Sequence, residues 1–236
     1  MILSIVIPVY NEEKTIEEIL EKVSSIKLSA QIEIICIDDG SSDDSAKIIK
    51  RYISKNENIA ISYHYKQNGG KGSAIRLGFE KSIGDVITIQ DADLEYDPND
   101  YHKLLEQILC GSKVVYGSRY LSEIGHLKEN NHITFKIHKF GNWSLSLLTS
   151  LLYNARLTDM ETCYKMFTRE VYNKINLKAD KFDIEPEITA KICKAGYKIT
   201  EVPINYYSRD FSEGKKITWK DGIAAAWCLV KYKFIN

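Results

Sequence analysis

The segment Gln90-Asp91-Ala92-Asp93-Leu94-Glu95 gathers three carboxylates directly after a strand-like stretch, Asp85 to Ile89. Two aspartates separated by one residue suit a hard divalent cation, and Mg²⁺ or Mn²⁺ bound through carboxylate oxygen keeps coordination positions for a diphosphate. Asp91, Asp93 and Glu95 are the candidate metal residues on this basis; the plainer alternative is a loop in which an Asp-x-Asp pair has no ligand. A second polar cluster, Asp38-Asp39-Gly40-Ser41-Ser42-Asp43, also follows a strand-like run. It is either a solvated turn and helix cap or, at a strand end facing a crevice, a place where a carboxylate accepts hydrogen bonds from a base or ribose. Asp39 is the first choice for that second role, and Asp38 the next.

Cations complete the set. Arg119 follows Gly117-Ser118, and Arg209 and Lys215 flank Asp210-Phe211-Ser212-Glu213-Gly214. Arginine offers a two-pronged contact to phosphate and lysine a compact charge, so these groups could neutralise a departing diphosphate or could be solvated loop residues. Asn68-Gly69-Gly70-Lys71-Gly72 is either a phosphate contact or a tight strand-to-helix turn. Gly70-Lys71-Gly72-Ser73 lacks the Ser or Thr that must follow Gly-Lys in a Walker loop, and Pro8-Val9-Tyr10-Asn11-Glu12 replaces a dinucleotide fingerprint after the first strand.

The elements that must position these residues alternate along the first half. Leu3 to Pro8 reads as a buried strand, followed by a helix with Asn11 as N-cap and an apolar face of Ile16, Ile19, Leu20 and Val23. Ile32 to Ile37 is a second strand, a helix carries Ile48, Ile49, Tyr52 and Ile53, and Ile59 to Tyr65 alternates as a third strand. The glycine-rich loop opens a helix to about Ser82, ahead of the strand that delivers the acidic cluster. A helix at Tyr101 to Leu109 and a strand at Val114 to Tyr116 follow. Strands alternating with helices predict a mainly parallel α/β sheet covered on both faces, with its ligand site off the carboxyl ends of the strands. The second half reads as helices at Phe135 to Tyr153, Glu185 to Ala195 and Trp219 to Tyr232, with a strand at Lys198 to Ile204.

Composition narrows the function class. Lys plus Arg and Asp plus Glu both number 32 in 236 residues, so no global field favours nucleic acid. The cysteines at 36, 110, 163, 193 and 228 are widely spaced and lack a C-x-x-C pair. Reduced thiols are expected, with neither zinc site nor disulfide frame. No signal-like leader precedes the first strand, and no apolar run approaches the roughly 18 residues of a membrane span. A cytoplasmic protein, peripheral on the cytoplasmic face of the membrane, is the expectation.

Taken in order, Val6-Ile7-Pro8-Val9-Tyr10-Asn11-Glu12-Glu13, Asp38-Asp39-Gly40-Ser41-Ser42-Asp43, Asp91-Ala92-Asp93, Gly117-Ser118-Arg119 and Lys215-Lys216-Ile217 resemble a family-2 glycosyltransferase of the GT-A fold. The dolichol-phosphate mannose synthase and polyprenyl-phosphate glycosyltransferase group is the most similar. This resemblance implies a single GT-A domain over residues 1–236, with a nucleotide-sugar-binding part at 1–120 and acceptor-side helices at 121–236. It implies that Pro8, Tyr10, Glu12, Ile37 and Asp39 bind the nucleoside, and that Asp91, Ala92 and Asp93 hold metal and diphosphate with Glu95 beside them. Arg119, Arg209 and Lys215 match basic positions contacting donor diphosphate or acceptor phosphate. Asp159, in Asp159-Met160-Glu161-Thr162, matches the segment where relatives with hydroxyl acceptors carry a general base.

The implied reaction is inverting, Mg²⁺- or Mn²⁺-dependent transfer of a hexose from a nucleotide-diphosphate sugar to a polyprenyl or dolichyl phosphate, with Asp93, Asp159 and Arg119 as catalytic candidates. GDP-mannose is the favoured donor and UDP-glucose the rival. Transfer to a saccharide hydroxyl is the alternative acceptor chemistry, and a catalytically silent nucleotide-sugar-binding module the least favoured class. Lys136 and Lys139, at the start of the leucine- and tryptophan-bearing helix 135–153, are candidates for acceptor phosphate at a membrane surface. An ordinary core helix accounts for the leucines equally well.

Overall fold

The computed structural model describes residues 1–121, 132–207 and 219–235, with backbone alone at 132–138 and 219–221. Strand β1 (Ile2–Val9) is an apolar run buried on both faces, as a central parallel strand must be. Helix α1 (Ile16–Ser25) turns Ile16, Ile19, Leu20 and Val23 inward and carries Glu17 and Glu18 in its first turn, where carboxylates meet the positive end of the helix dipole. The alternation continues through β2 (Gln31–Asp38), α2 (Ser45–Lys55), β3 (Ala60–Tyr65), α3 (Lys71–Lys81) and β4 (Val86–Ile89). A 3₁₀ turn at Pro98–Asp100 then leads into α4 (Tyr101–Leu109), β5 (Val114–Ser118) and α5 (His132–Tyr153). The remaining elements are β6 (Lys165–Thr168), α6 (Arg169–Tyr172), α7 (Ile184–Lys194), β7 (Thr200–Pro203) and α8 (Trp219–Phe234).

The seven strands form one sheet in the order β3-β2-β1-β4-β6-β5-β7. All neighbours are parallel except β6, which runs antiparallel to β4 and β5. The mainly parallel sheet expected from the alternation is therefore present, with one strand added. Sequence patterning misses β6 because it spans four residues and opens on a lysine, which does not look like a buried strand residue. Lys165 is nonetheless fully buried.

One local expectation is corrected. Asn11 does not cap α1, which starts at Ile16 after Thr15. Asn11 instead adopts a left-handed φ of 55°, and its Oδ1 accepts a hydrogen bond from Ser42 N at 2.8 Å. Its side chain thus ties the loop after β1 to the loop after β2. The five cysteines are free thiols, with Cys36, Cys163 and Cys228 buried.

Candidate active site

The strand order reverses at β1. The chain adds β2 and β3 on one side of it and then crosses to β4 on the other, which creates the switch point where open α/β sheets bind ligands. Val9 pairs with Asp38 and Val6 with Ile89, so the acidic segments after β2 and β4 open on either side of the carboxyl end of β1. Asp39 N donates to Val9 O at 2.8 Å and Gln90 N to Val6 O at 2.9 Å, which carries both ladders one residue into the loops.

On the β2 side, Pro8 and Ile37 are register partners within this edge, and Tyr10 is exposed just beyond it. The backbone N–H of Glu12 donates to Ser45 Oγ at 2.9 Å, and the carboxylate accepts from Thr15 Oγ1 at 3.0 Å. Asp39 is buried and accepts from Lys66 Nζ at 2.5 Å, Gly69 N at 3.0 Å and Gly70 N at 2.8 Å. Its carboxylate thus organises the glycine-rich loop. Asp38 accepts from Ser41 N and Tyr63 Oη, both at 2.8 Å.

The glycines of that loop serve close packing. Gly70 has a φ of +99°, and a Cβ there would meet Asp180 O at 2.5 Å; one on Gly72 would meet Ala179 O at 2.6 Å. The 179–181 segment therefore presses on the start of α3, and Ser73 N donates to Asp180 O at 3.0 Å. The two readings of the loop meet at Lys71, which the packed turn directs onto the acidic cluster.

Lys71 Nζ lies 2.8 Å from Asp91 Oδ1 and 3.5 Å from Glu185 Oε1. Glu185 Oε2 in turn receives Lys165 Nζ at 2.9 Å, and Lys165 also donates to Met160 O at 3.0 Å and to Thr162 O. Asp91, Lys71, Glu185 and Lys165 thus form a chain of alternating charge running from the site into the core. Burial works against the Lys71 ammonium, but the charges of Asp91 and Glu185 outweigh it and hold its pKa well above the ordinary value. Sequence reasoning missed Lys71, Glu185 and Lys165 as site residues. The available signal was the pair of buried-type positions in Phe182-Asp183-Ile184-Glu185 and Cys163-Tyr164-Lys165, where charged residues interrupt apolar stretches.

Asp93 Oδ1 accepts from Glu95 N at 3.1 Å, and Leu94 between them has a left-handed φ of 64°. That turn points the Glu95 carboxylate inward, where it accepts from Tyr206 Oη at 2.7 Å. Gln90 fixes the base of the loop, since its Oε1 accepts from Tyr101 Oη and Tyr164 Oη, both at 2.7 Å. Ala92 is buried beneath it.

Among the described residues no three His, Cys, Asp or Glu side chains converge as a metal cage, so Asp91, Asp93 and Glu95 are not gathered as one ligand set. The donor chemistry nevertheless fits Mg²⁺ or Mn²⁺, because such ions are commonly held by one or two carboxylates and complete their shell with substrate phosphate and water. Asp93 and Asp91, two residues apart in one loop, are the carboxylates that could hold such an ion.

Beyond β4, Arg119 follows β5 directly. Its Nε and Nη2 donate to Asp159 at 2.7 and 2.8 Å, and its backbone N donates to the same carboxylate at 3.0 Å. Burial opposes the guanidinium charge, but Asp159 more than compensates and raises its pKa well above the ordinary value. The guanidinium also lies over the Tyr206 ring, 5.1 Å from its centroid, and Tyr206 is the residue that holds Glu95. Arg119 and Asp159, two of the three expected catalytic residues, are therefore joined to each other and, through one tyrosine, to the acidic loop that carries the third, Asp93.

Glu201 secures the far side of Asp159 by accepting from the N–H groups of Thr158 and Asp159. Glu161, two residues on, is mostly buried; burial raises its pKa and Arg119 counters part of that rise. Among the described residues no hydrogen bond reaches its carboxylate. Lys139 is exposed on α5, the Lys136 side chain is not among the described ones, and Arg209 and Lys215 lie outside the described residues.

The fold and site define an α/β protein with an acidic crevice at the switch point of a mainly parallel sheet, and comparison makes the class definite. Residues 4–175 match the sequence profile of glycosyl transferase family 2; the chain belongs to that family and has the GT-A fold. An uncharacterised protein of Methanocaldococcus jannaschii is 27% identical over 97% of this chain and 91% of its own length. Undecaprenyl-phosphate 4-deoxy-4-formamido-L-arabinose transferase of Pseudomonas fluorescens is 26% identical over 90% of this chain, which spans 59% of that relative. The Proteus mirabilis enzyme of the same name is 39% identical over 48% of this chain and 35% of its own length. Glucosyl-3-phosphoglycerate synthase of Mycobacterium tuberculosis in complex with UDP superposes with a TM-score of 0.72 at 16% identity, over 99% of this chain and 80% of that one. Its complex with Mn²⁺, UDP and glucosyl-3-phosphoglycerate gives 0.70 at 17% identity, with coverage of 99% and 80%. At these identities the likeness to the synthase is one of fold.

Proposed function

We propose that the protein transfers a sugar from a UDP-sugar to a polyprenyl phosphate, with inversion at the anomeric carbon and with a bound divalent cation. Relatives named undecaprenyl-phosphate sugar transferases support the acceptor, and the UDP complexes of a protein of the same fold favour UDP over the GDP-mannose that the sequence resemblance suggested. What carries the acceptor assignment is Asp159. Both its oxygens are engaged by Arg119, which suits a group that organises the site better than one that removes a proton. A phosphate monoester is already anionic near neutral pH and needs no base.

Asp93 and Asp91 would hold the cation, whose Lewis acidity stabilises the departing diphosphate when it is bound. Lys71 keeps Asp91 oriented and sets a fixed positive charge beside the diphosphate position. Arg209 and Lys215 add neutralising charge as the leaving group departs. An acceptor phosphate oxygen forms the new bond to the anomeric carbon from the face opposite the diphosphate. The bond from that carbon to the diphosphate oxygen breaks, and UDP leaves with the electron pair.

Glu161 favours a second reading. A partly buried carboxylate without a described hydrogen bond, beside Arg119, is a better general base than Asp159 for a saccharide hydroxyl. Labelled sugar offered as UDP-glucose or GDP-mannose, with Mg²⁺ or Mn²⁺ and a short polyprenyl phosphate, separates these outcomes. Label in the organic phase from the UDP donor supports the proposal, and label there from GDP-mannose alone replaces the donor. Label that reaches only a saccharide, in a reaction abolished by Glu161→Gln, replaces the acceptor.

A further inference from the structure

Helices α5 and α8 pack on each other and both lie against α7. On α5 the side facing inward buries Asn142, Leu145, Ser146 and Thr149, and on α8 it buries Ala225, Cys228, Leu229 and Tyr232. The opposite sides are apolar as well. Phe140, Trp143, Leu147 and Leu151 recur at helical spacing along α5, and Ile223, Trp227 and Phe234 along α8, all of them exposed. The exposure is large: 66% for Phe140, 56% for Trp143, 76% for Leu151, 66% for Trp227 and 78% for Phe234. Because α5 and α8 pack side by side and each buries the face opposite its stripe, the two stripes lie next to each other on the outside of the pair as an apolar surface.

Charge selects the occupant. At about 100° per residue, Lys231 and Lys233 fall on opposite flanks of the α8 stripe, and Lys139 falls on one flank of the α5 stripe; all three are exposed. Helix α5 contains no Asp or Glu, and α8 contains only Asp221. A self-complementary dimer through this face would oppose basic flanks without acidic partners. Aromatic and aliphatic side chains between flanking lysines match an interface whose apolar interior lies below anionic headgroups.

We propose that this face of the α5 and α8 pair seats on a lipid surface bearing anionic headgroups, a step that deepens the lipid-acceptor reading given above. The seat connects to the site through α5 itself. On its inner face Asn142 Nδ2 donates to Thr158 O at 2.8 Å, and Asn142 Oδ1 accepts from Met160 N at 3.1 Å and Glu161 N at 3.3 Å. The loop that carries Asp159 therefore hangs from the helix that rests on the lipid. A bilayer-borne phosphate would meet the Arg119 side of the site, with the helix fixing its height.

The test uses the intact protein and vesicles of phosphatidylcholine, with and without phosphatidylglycerol, in the absence of donor sugar and polyprenyl phosphate. Wild type should sediment with the anionic vesicles and shift its tryptophan emission to the blue. Trp143→Ser with Trp227→Ser should lower the vesicle partition coefficient by about tenfold or more, and Lys231→Gln and Lys233→Gln should each lower it roughly fivefold on anionic vesicles only. The thermal midpoint of the tryptophan variant should match wild type, because both tryptophans are exposed; Lys233 also donates to Leu152 O on α5, so the lysine variants are compared on neutral and anionic vesicles, and equal losses on both would remove their charge from the proposal. Transfer to a short, water-soluble polyprenyl phosphate should be unchanged in the tryptophan variant.

Wild type that stays in the supernatant with every vesicle overturns the proposal, as do variants that bind like wild type. A dimer that the tryptophan changes dissociate, without vesicle binding, assigns the face to a second copy. Vesicle binding without any sugar transfer sinks the lipid-phosphate reading and leaves the surface standing; transfer without vesicle binding does the reverse.

Discussion

The two halves of the sheet hold their carboxylates in opposite ways. Asp38 and Asp39 accept mainly from their own loop, the neighbouring strand and the turn entering α3: Ser41, Tyr63, Lys66, Gly69 and Gly70. Beyond β4 the partners come from far along the chain. Asp159 meets Arg119 across 40 residues, Glu95 meets Tyr206 across 111, and Thr158 meets Glu201 across 43. The β1–β3 side is assembled from consecutive strand-helix units, whereas the side beyond β4 is tied by side chains bridging distant elements. Damage should therefore stay local on the first side and spread on the second.

The largest effect belongs to the seam between the halves. Asp93→Ala should lower transfer by about a thousandfold or more while the thermal midpoint stays near that of wild type, since Asp93 is partly exposed. Titration of Mn²⁺ in the presence of UDP should lose its saturable binding in the same variant. Turnover that persists with Mg²⁺ or Mn²⁺ would remove Asp93 from the metal site.

Next comes the long-range pair. Asp159 is fully buried and the Arg119 guanidinium only slightly exposed, so Asp159→Asn strips a largely buried cation of its counter-charge, which costs about 3–5 kcal/mol when a buried pair is broken. The unfolding midpoint should drop accordingly, and activity should fall with it. A variant of wild-type stability that has lost transfer would instead identify Asp159 as a chemical base and revive the hydroxyl acceptor.

Asp39→Asn should do less. One amide oxygen can still accept from Gly69 or Gly70, so the loss is the charge-assisted share with Lys66 and one backbone contact, about 1–3 kcal/mol. The informative readout is nucleotide affinity. If Asp39 also contacts the base, UDP binding falls more than stability does; if it only supports the loop, the two change together.

How much of this was legible follows the same division. Periodicity reveals β1 to β4 and their helices because each buries a repeating apolar face, and a strand-end position suffices to single out Asp91, Asp93 and Asp39. It does not reveal that Lys71 occupies Asp91, that Glu185 and Lys165 extend the charge chain, or that Arg119 and Asp159 are one unit. Such pairs have no spacing rule, because the sheet order that brings them together inserts β6 between β4 and β5. A four-residue strand opening on a buried lysine carries no period of its own.

The smallest effect is one of pH, and it tests whether the side beyond β4 depends on charge. Glu187 on α7 is fully buried, which alone would raise its pKa. Hydrogen bonds from Lys191 and from the N–H groups of Ala179 and Lys178 overcome this and leave it below the ordinary 4.5. The folded protein thus binds this proton more weakly than the unfolded chain does. Its stabilising contribution is complete above the unfolded pKa and is lost as pH falls through the folded value. Unfolding midpoints measured downward from about pH 5 should decline in wild type and decline less steeply in Glu187→Gln. Because the same carboxylate anchors Lys178 and Ala179, at the head of the segment pressing on Gly70 and Gly72, acid should loosen the glycine-rich loop from behind, through the half of the molecule that does not contain it. Equal slopes in the two proteins would show that Glu187 is not what carries the acid response, and would return that coupling to the loop's own contacts with Asp39.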